Sequence, residues 1–256
     1  MRLQWVIGPQ DVARVTQLIG CAEENSFVKR RRQRNLGQPR PDITRSTAWM
    51  AVIGCLLTTQ QKSGPGKPVS RFLGGSPFPL SYRRCQAQRH LEPFARDILS
   101  GFGGIRRSPT IANQIVRALC QLEDGEWDIL LAHAARVDAA NDYRVERVAA
   151  RYVAKTFDGF GPKQARNFFQ WLGVAKYEIP IDSRVTKWLN REILSFELNA
   201  NLLSDATYYE MVSDGVIDLC RRAGIPPCVF DAAVFASFDR DERSDADVAA
   251  ETLRSA

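Results

Sequence analysis

The run Phe157-Asp158-Gly159-Phe160-Gly161-Pro162-Lys163-Gln164-Ala165-Arg166 constrains this chain more than any other stretch, because it reads as a tight hairpin between two helices. Two glycines flank one apolar residue, and both are expected to take backbone angles that other residues resist. The second helix starts at Pro162, whose fixed φ suits a first helical turn. The unpaired N–H groups of that turn point outward, where a phosphate oxygen would satisfy them. Lys163 stands in the same turn. Ala165 lets the helix pair approach closely, and Phe168, Phe169 and Leu172 continue an apolar face. Such a hairpin grips a nucleic-acid strand by its backbone without reading its sequence.

Around the hairpin the pattern is helical. Gly8-Pro9-Gln10-Asp11 opens a helix from Pro9 to about Glu24, with Val12, Val15, Leu18 and Ile19 on one face. Lys29-Arg30-Arg31-Arg32-Gln33-Arg34 is a dense basic run, either a solvated face or a set of phosphate contacts. Two prolines in Gln38-Pro39-Arg40-Pro41-Asp42 forbid a regular helix there. A buried helix is expected from Thr44 to about Gln61, followed by the turn-rich loop Lys62-Ser63-Gly64-Pro65-Gly66-Lys67-Pro68 and an irregular link over residues 74–81. Helical periodicity returns over Glu92–Leu99, Ser108–Leu122, Trp127–Ala135, Asp142–Thr156, Val185–Ile193, Tyr208–Arg222 and Pro226–Phe238. Leu119, Leu122, Ile129 and Leu130 read as core. Gly101-Phe102-Gly103-Gly104-Ile105-Arg106-Arg107 lacks the preceding strand and the lysine of a phosphate-cradling loop, so it reads as a plain inter-helix loop whose two arginines can reach DNA. The fold class is therefore all-α, in two lobes.

Composition narrows the function classes. With 256 residues and 45% hydrophobic content, the chain can bury a full core. Its formal charge of +6 fits a phosphate-bearing partner. No apolar run approaches the roughly 18 residues of a membrane span, and Met1-Arg2-Leu3-Gln4-Trp5 starts no signal peptide. A soluble intracellular monomer is expected, cytoplasmic and nucleoid-associated or else nuclear, with no membrane contact. The cysteines Cys21, Cys55, Cys85, Cys120, Cys220 and Cys228 are scattered, and Cys55 and Cys120 read as buried thiols on apolar helices. Without a CxxC pair, neither zinc nor an iron–sulfur cluster is suggested. His90 and His133 are far apart, which argues against histidine-based metal or triad chemistry. No cofactor is expected.

The hairpin segment resembles the helix–hairpin–helix of the DNA glycosylase superfamily that contains endonuclease III and 8-oxoguanine DNA glycosylase. In that superfamily the hairpin is followed by a glycine-containing turn, a Pro/Val-Asp pair and a helix. Here Leu172-Gly173 is followed by Ile179-Pro180-Ile181-Asp182-Ser183-Arg184-Val185, with Asp182 nineteen residues after Lys163. Ile53-Gly54-Cys55-Leu56-Leu57-Thr58-Thr59-Gln60-Gln61 is similar to the helix end that carries a strand-wedging polar residue, which puts Gln60 in that role. The resemblance spans residues 45–240, and only these blocks are specific. It divides the chain into an N-terminal helix and basic segment (1–43), a glycosylase-like domain (44–238) and a charged C-terminal tail (239–256).

The resemblance implies that Lys163 is the nucleophile of a bifunctional glycosylase and Asp182 its essential partner, acting on double-stranded DNA. Contacts to DNA are then expected from Gln60, Lys62, Gly159, Phe160, Gly161 and Gln164. A flipped base would need stacking and hydrogen-bonding partners, for which Tyr143, Trp171, Phe235, Phe238 and Asp231 are the candidates. The missing cluster and the long interval from Gln60 to Lys163 look more like 8-oxoguanine glycosylase than endonuclease III, so an oxidised purine is the expected substrate. On the residues alone, alternatives stand. Lys163 can merely touch phosphate, Asp182 can be a helix cap, and Gln60 can be an ordinary helix-end residue. Rival functions are a glycosylase of undamaged or modified bases in restriction or defence, a non-catalytic DNA-binding relative, and a helical scaffold for protein partners.

Overall fold

Two hydrophobic cores, joined by short crossings, organise the chain. The computed structural model describes residues 5–61, 64 and 66–238, so the expectations for Lys62 and for the tail at 239–256 lie outside the described residues. Among the described residues there is no strand. The first lobe holds α3 (Arg45–Leu57), α4 (Pro68–Leu73), α5 (Tyr82–Gln86), α6 (Leu91–Phe102), α7 (Ser108–Gln121), α8 (Trp127–Ala139), α9 (Tyr143–Thr156) and α10 (Pro162–Trp171). The second holds α1 (Pro9–Ala22), α2 (Ser26–Leu36), α11 (Ser183–Glu192), α12 (Ala206–Ala223) and α13 (Pro227–Phe238). The N-terminal segment is therefore no appendage: Val15, Phe27 and Val28 share one core with Trp188, Tyr209, Val212 and Phe230.

The centre of the first lobe is α3, buried along nearly its whole length from Ala48 to Leu57. A helix that is apolar all round belongs inside a protein. Each fully buried Val, Leu or Ile here contributes about 1.5–3 kcal/mol. Trp49 keeps its one donor paired, Nε1 donating to the Leu80 carbonyl at 2.9 Å. The helix stops at Leu57 rather than Gln61, because the hydroxyls of Thr58 and Thr59 both turn back onto the Cys55 carbonyl. Gln60 then takes a left-handed conformation at φ +57°.

Several expectations need correction. Ile129 is not core but 47% exposed, since α8 buries Trp127, Leu130, Ala134 and Val137 on the opposite side. Cys120 is exposed, one position past the buried Leu119 on α7, whereas Cys55 is buried. The basic run is not a plain solvated face. It is helix α2, started by the Asn25 side chain accepting from Phe27 N at 3.0 Å. Two of its arginines turn inward: Arg31 pairs with Asp231 at 2.9 Å, and Arg34 donates to the Gln170 carbonyl at 2.6 Å. Long arginine stems do the covering that apolar side chains do elsewhere.

Candidate active site at the hairpin and the lobe junction

The hairpin is built from local sequence. Helix α9 closes with Phe157 N donating to the Val153 carbonyl, and Phe160 N then donates to the Phe157 carbonyl at 3.2 Å. Gly159 sits at φ +85°, and a Cβ there would lie 2.5 Å from the Gln114 side chain. That position needs glycine twice over. Gly161 differs from expectation: its φ is −85°, which any residue adopts, and a Cβ there would meet nothing within 4 Å. Phe160 does not point at a ligand either. Its ring is buried, 5.9 Å from Phe157 and 6.5 Å from Phe168, and pins the turn to the first lobe.

Helix α10 begins at Pro162, and its first backbone bond is Ala165 N to the Gly161 carbonyl at 3.0 Å. The N–H groups of Lys163 and Gln164 come before that bond, the usual anion-binding end of a helix. The Gln164 side chain, in contrast, faces inward and donates to Thr59 Oγ1 at 2.7 Å. It ties the hairpin helix to the turn that presents Gln60. That turn is held on its far side too: Gln61 donates to the Leu57 carbonyl and accepts from Arg106 N at 2.7 Å. The exposed Gln60 is thus carried between two anchored residues on the surface that also bears the 101–107 loop.

Lys163 is half-buried, and its charge reaches Cys55 on α3. Burial pushes the Cys55 thiol far up, with Lys163 and the Asn167 amide acting in the opposite sense. Lys163, Asn167, Gln170 and Trp171 recur at helical spacing and make one stripe along α10. At its far end the Trp171 ring packs so closely on α3 that a Cβ at Gly54 would lie 2.5 Å from it. Gln170 is 1% exposed, and neither atom of its amide makes a hydrogen bond of good geometry.

Asp182 heads α11 in the second lobe. Its Oδ1 accepts from Arg184 N at 2.8 Å and Val185 N at 3.1 Å, and Oδ2 lies 3.5 Å from Arg184 Nη1. Its charge acts on Asp231 of α13. Burial, first, and then Asp182 push that carboxyl up to about 6, while Arg31 and the Gln170 amide pull it back. Phe235, one turn further along α13, lies under the Arg184 guanidinium at 4.1 Å and 5.2 Å from Phe27. Phe235 and Asp231 are therefore gathered around Asp182 and Arg184, whereas Trp171 is placed against α3. Phe238 lies instead against Arg191 at 5.8 Å. Tyr143 is not brought to Lys163: it packs against Arg147 and Arg144 at the end of α9 remote from the hairpin. Arg31, Gln170 and Arg184 escaped the sequence reading. The i, i+4, i+7 spacing from Lys163 could have flagged Gln170.

A depression of about 620 Å³ opens on another side of the hairpin, lined among others by Arg117, Gln121, Lys155 and Asp158, and includes neither Lys163 nor Asp182. Among the described residues no three His, Cys, Asp or Glu side chains gather as metal ligands, and no helix is long and apolar enough to cross a membrane.

Neither a protein-family model nor a curated protein sequence matches the chain. Solved structures do. The 8-oxoguanine DNA glycosylase of Thermotoga maritima superposes with a TM-score of 0.64 over 91% of this chain and 98% of its own, at 16% identity. The 8-oxoguanine DNA glycosylase of Methanocaldococcus jannaschii gives 0.61 over 91% and 95%, at 14% identity. The chain thus shares its overall fold with these two solved 8-oxoguanine DNA glycosylases.

Proposed function

We propose that this protein is a DNA glycosylase with an associated abasic-site lyase activity, removing an oxidised purine such as 8-oxoguanine from duplex DNA. The observation that carries the reading is the placement of Lys163 in the first turn of α10. There a lysine stands beside two unpaired backbone N–H groups, in a fold shared with two 8-oxoguanine DNA glycosylases.

The hairpin N–H groups hold a phosphate next to the extruded nucleotide, and the open face at Gly161 lets the backbone come close. Gln60 enters the space the base leaves, which offsets part of the few kcal/mol that unstacking costs. The Lys163 amine attacks C1′, the N-glycosidic bond breaks, and the base departs with a proton. Asp182 stabilises the cationic sugar as the bond breaks and relays the proton from the amine. The Schiff base then loses its 3′ phosphate by β-elimination, which nicks the strand. Trp171 and Phe235 stack the base, with Asp231 and Gln170 beside its polar edge. The protein works as a monomer inside the cell, on double-stranded DNA.

Borohydride trapping tests this on duplexes carrying 8-oxoguanine, an oxidised pyrimidine, uracil, an abasic site or no lesion. The expected result is a covalent adduct, strongest on 8-oxoguanine and the abasic site, that disappears in Lys163→Gln. An adduct that persists in that variant places the nucleophile elsewhere. No adduct on any duplex overturns the lyase chemistry.

A further inference from the structure

Resting on that reading, we propose that Arg166 and Glu178 are positioning residues: a buried ion pair that sets Asp182 at a fixed distance from Lys163. The two groups belong to different lobes, and the chain between them, residues 173–181, has no helix to stiffen it. Something else must hold the register. Arg166 lies one turn after Lys163 on α10 and donates from Nη1 to the Pro162 carbonyl at 3.1 Å, the residue just before Lys163. From Nε the same guanidinium reaches Glu178 Oε2 at 2.5 Å. Glu178 is four residues before Asp182, and the side chains of the pair are only 2% and 1% exposed.

The remaining length of the crossing is pinned by the same assembly. The Arg166 guanidinium lies 4.4 Å over the Tyr209 ring. The Tyr209 hydroxyl donates to the Ile179 carbonyl at 2.8 Å and accepts from Ile181 N at 2.6 Å, one residue short of Asp182. Upstream, the buried Glu146 carboxyl accepts from Lys176 N, Tyr177 N and Glu178 N at 2.7–2.9 Å. Arg147 grips the other oxygen of Glu178 at 2.7 Å and passes on to Asp214. A single arginine thus touches the first turn of the lysine helix, the carboxylate of the crossing and the tyrosine that fixes its last peptides.

Stability alone gives little reason for this arrangement. A buried ion pair is seldom more stabilising than a well-packed apolar pair of the same volume. What it adds is geometry: the guanidinium holds the Pro162 carbonyl from Nη1 and Glu178 from Nε at once, through a short charge-assisted bond that fixes the crossing against α10. A displacement of about 1 Å in a catalytic group costs as much as 100-fold in rate.

The test separates base release from lyase chemistry. Lys163 sits on α10 and stays there when the crossing slackens, whereas Asp182 moves with it. Glu178→Gln, nearly isosteric, should therefore slow single-turnover release of the base roughly 10- to 100-fold. Affinity for the same duplex, and borohydride trapping on a ready-made abasic site, should change less than about threefold. Arg147→Gln loosens the outer hold on Glu178 and should give a smaller loss with the same split, which keeps the test open should Glu178→Gln fail to fold. Release at the wild-type rate in both variants overturns the proposal. So does a parallel fall of release, trapping, affinity and melting temperature, which reduces the pair to a fold determinant. A wild-type protein that releases no base from any duplex fails earlier: it overturns the glycosylase reading, and the positioning role with it.

Discussion

The hairpin and the lobe junction each supply one of the two groups proposed for the chemistry, and they are built on opposite plans. The hairpin carries Lys163 on one consecutive run of chain, Phe157 to Lys163, held by a glycine at positive φ, a proline at a helix start and two phenylalanines that dock beside it. The junction carries Asp182 on contacts between residues remote in sequence, Arg31 with Asp231, Arg34 with the Gln170 carbonyl and Asn35 with the Ala175 carbonyl, together with the nearer pair of Arg166 and Glu178. One half of the site is a local structure, which on the proposed reading binds backbone of any sequence. The other exists only once both lobes have folded, and it is where substrate choice can be written.

The largest effect that separates the two halves is expected at Asp182. Asparagine keeps a side-chain oxygen for Arg184 N and Val185 N, so the cap and the fold survive with a loss of a few tenths to about 1 kcal/mol. Base release should nevertheless fall by about 100-fold or more, since the charge opposite the developing cation is gone. Parallel melting and single-turnover measurements on Asp182→Asn check this. Near-normal release would leave Asp182 a cap and move the chemistry of the junction to another group.

A comparable loss, but of stability, is expected when the hairpin is broken. Gly159→Ala puts a methyl group 2.5 Å from the Gln114 amide at φ +85°, where strain and contact add. The cost should be about 2–3 kcal/mol, read from chemical denaturation. Release and affinity should both suffer, because the hairpin is displaced as a unit. A variant as stable as the parent would mean that the Gln114 side chain swings away and that the turn tolerates a right-handed residue.

What the sequence reveals of the two halves follows from the same contrast. The helix periods, the hairpin and the Asp182 cap are local signals, and the structure places Lys163 and Asp182 at helix starts as read. Helix α2 carries its buried apolar residues, Phe27 and Val28, only in its first turn, and the arginines that follow give no apolar stripe to mark the rest. Phe160, Gln164 and Gly161 were assigned one shared task from one motif. The structure gives them three: a pin, a tether to Thr59, and an open face. Tyr143 shows the limit of choosing pocket residues by type, since nothing local distinguishes an aromatic ring beside Arg147 from one beside Asp182. The ion pair of Arg166 and Glu178 joins residues close in sequence, yet its burial between lobes depends on Tyr209 and Arg147, which no spacing rule brings to mind.

The junction should also respond to pH. Asp231 has its carboxyl raised from the ordinary 3.8 to about 6, chiefly by burial. A raised pKa means that the folded state holds a proton which the unfolded chain gives up. The contribution is therefore fully present below about pH 4 and is lost as the pH rises through 6. Its size is on the order of 3 kcal/mol. Asp231→Asn removes this titration, so the difference in stability between parent and variant should change between pH 4 and 7 and level off above. A constant difference across that range would mean that Arg31, 2.9 Å away, keeps the carboxylate charged throughout.

The smallest structural effect divides the hairpin itself. Gly161 has an ordinary φ of −85° and empty space where a Cβ would stand, so nothing in the fold requires glycine there. Gly161→Ala should change stability by less than about 0.5 kcal/mol, and the lost backbone freedom of the unfolded chain even favours the variant slightly. The methyl group stands next to the free N–H groups of Lys163 and Gln164, in the space a phosphate must enter to reach them. Affinity for duplex DNA should fall about 3- to 10-fold, in keeping with one impaired charge-assisted contact, and equally for lesion-bearing and lesion-free duplexes. Unchanged affinity would show that the backbone of the bound strand passes Gly161 at a distance. Gly159 would then be the only glycine of the pair with a physical reason to be one, and that reason would be folding rather than binding.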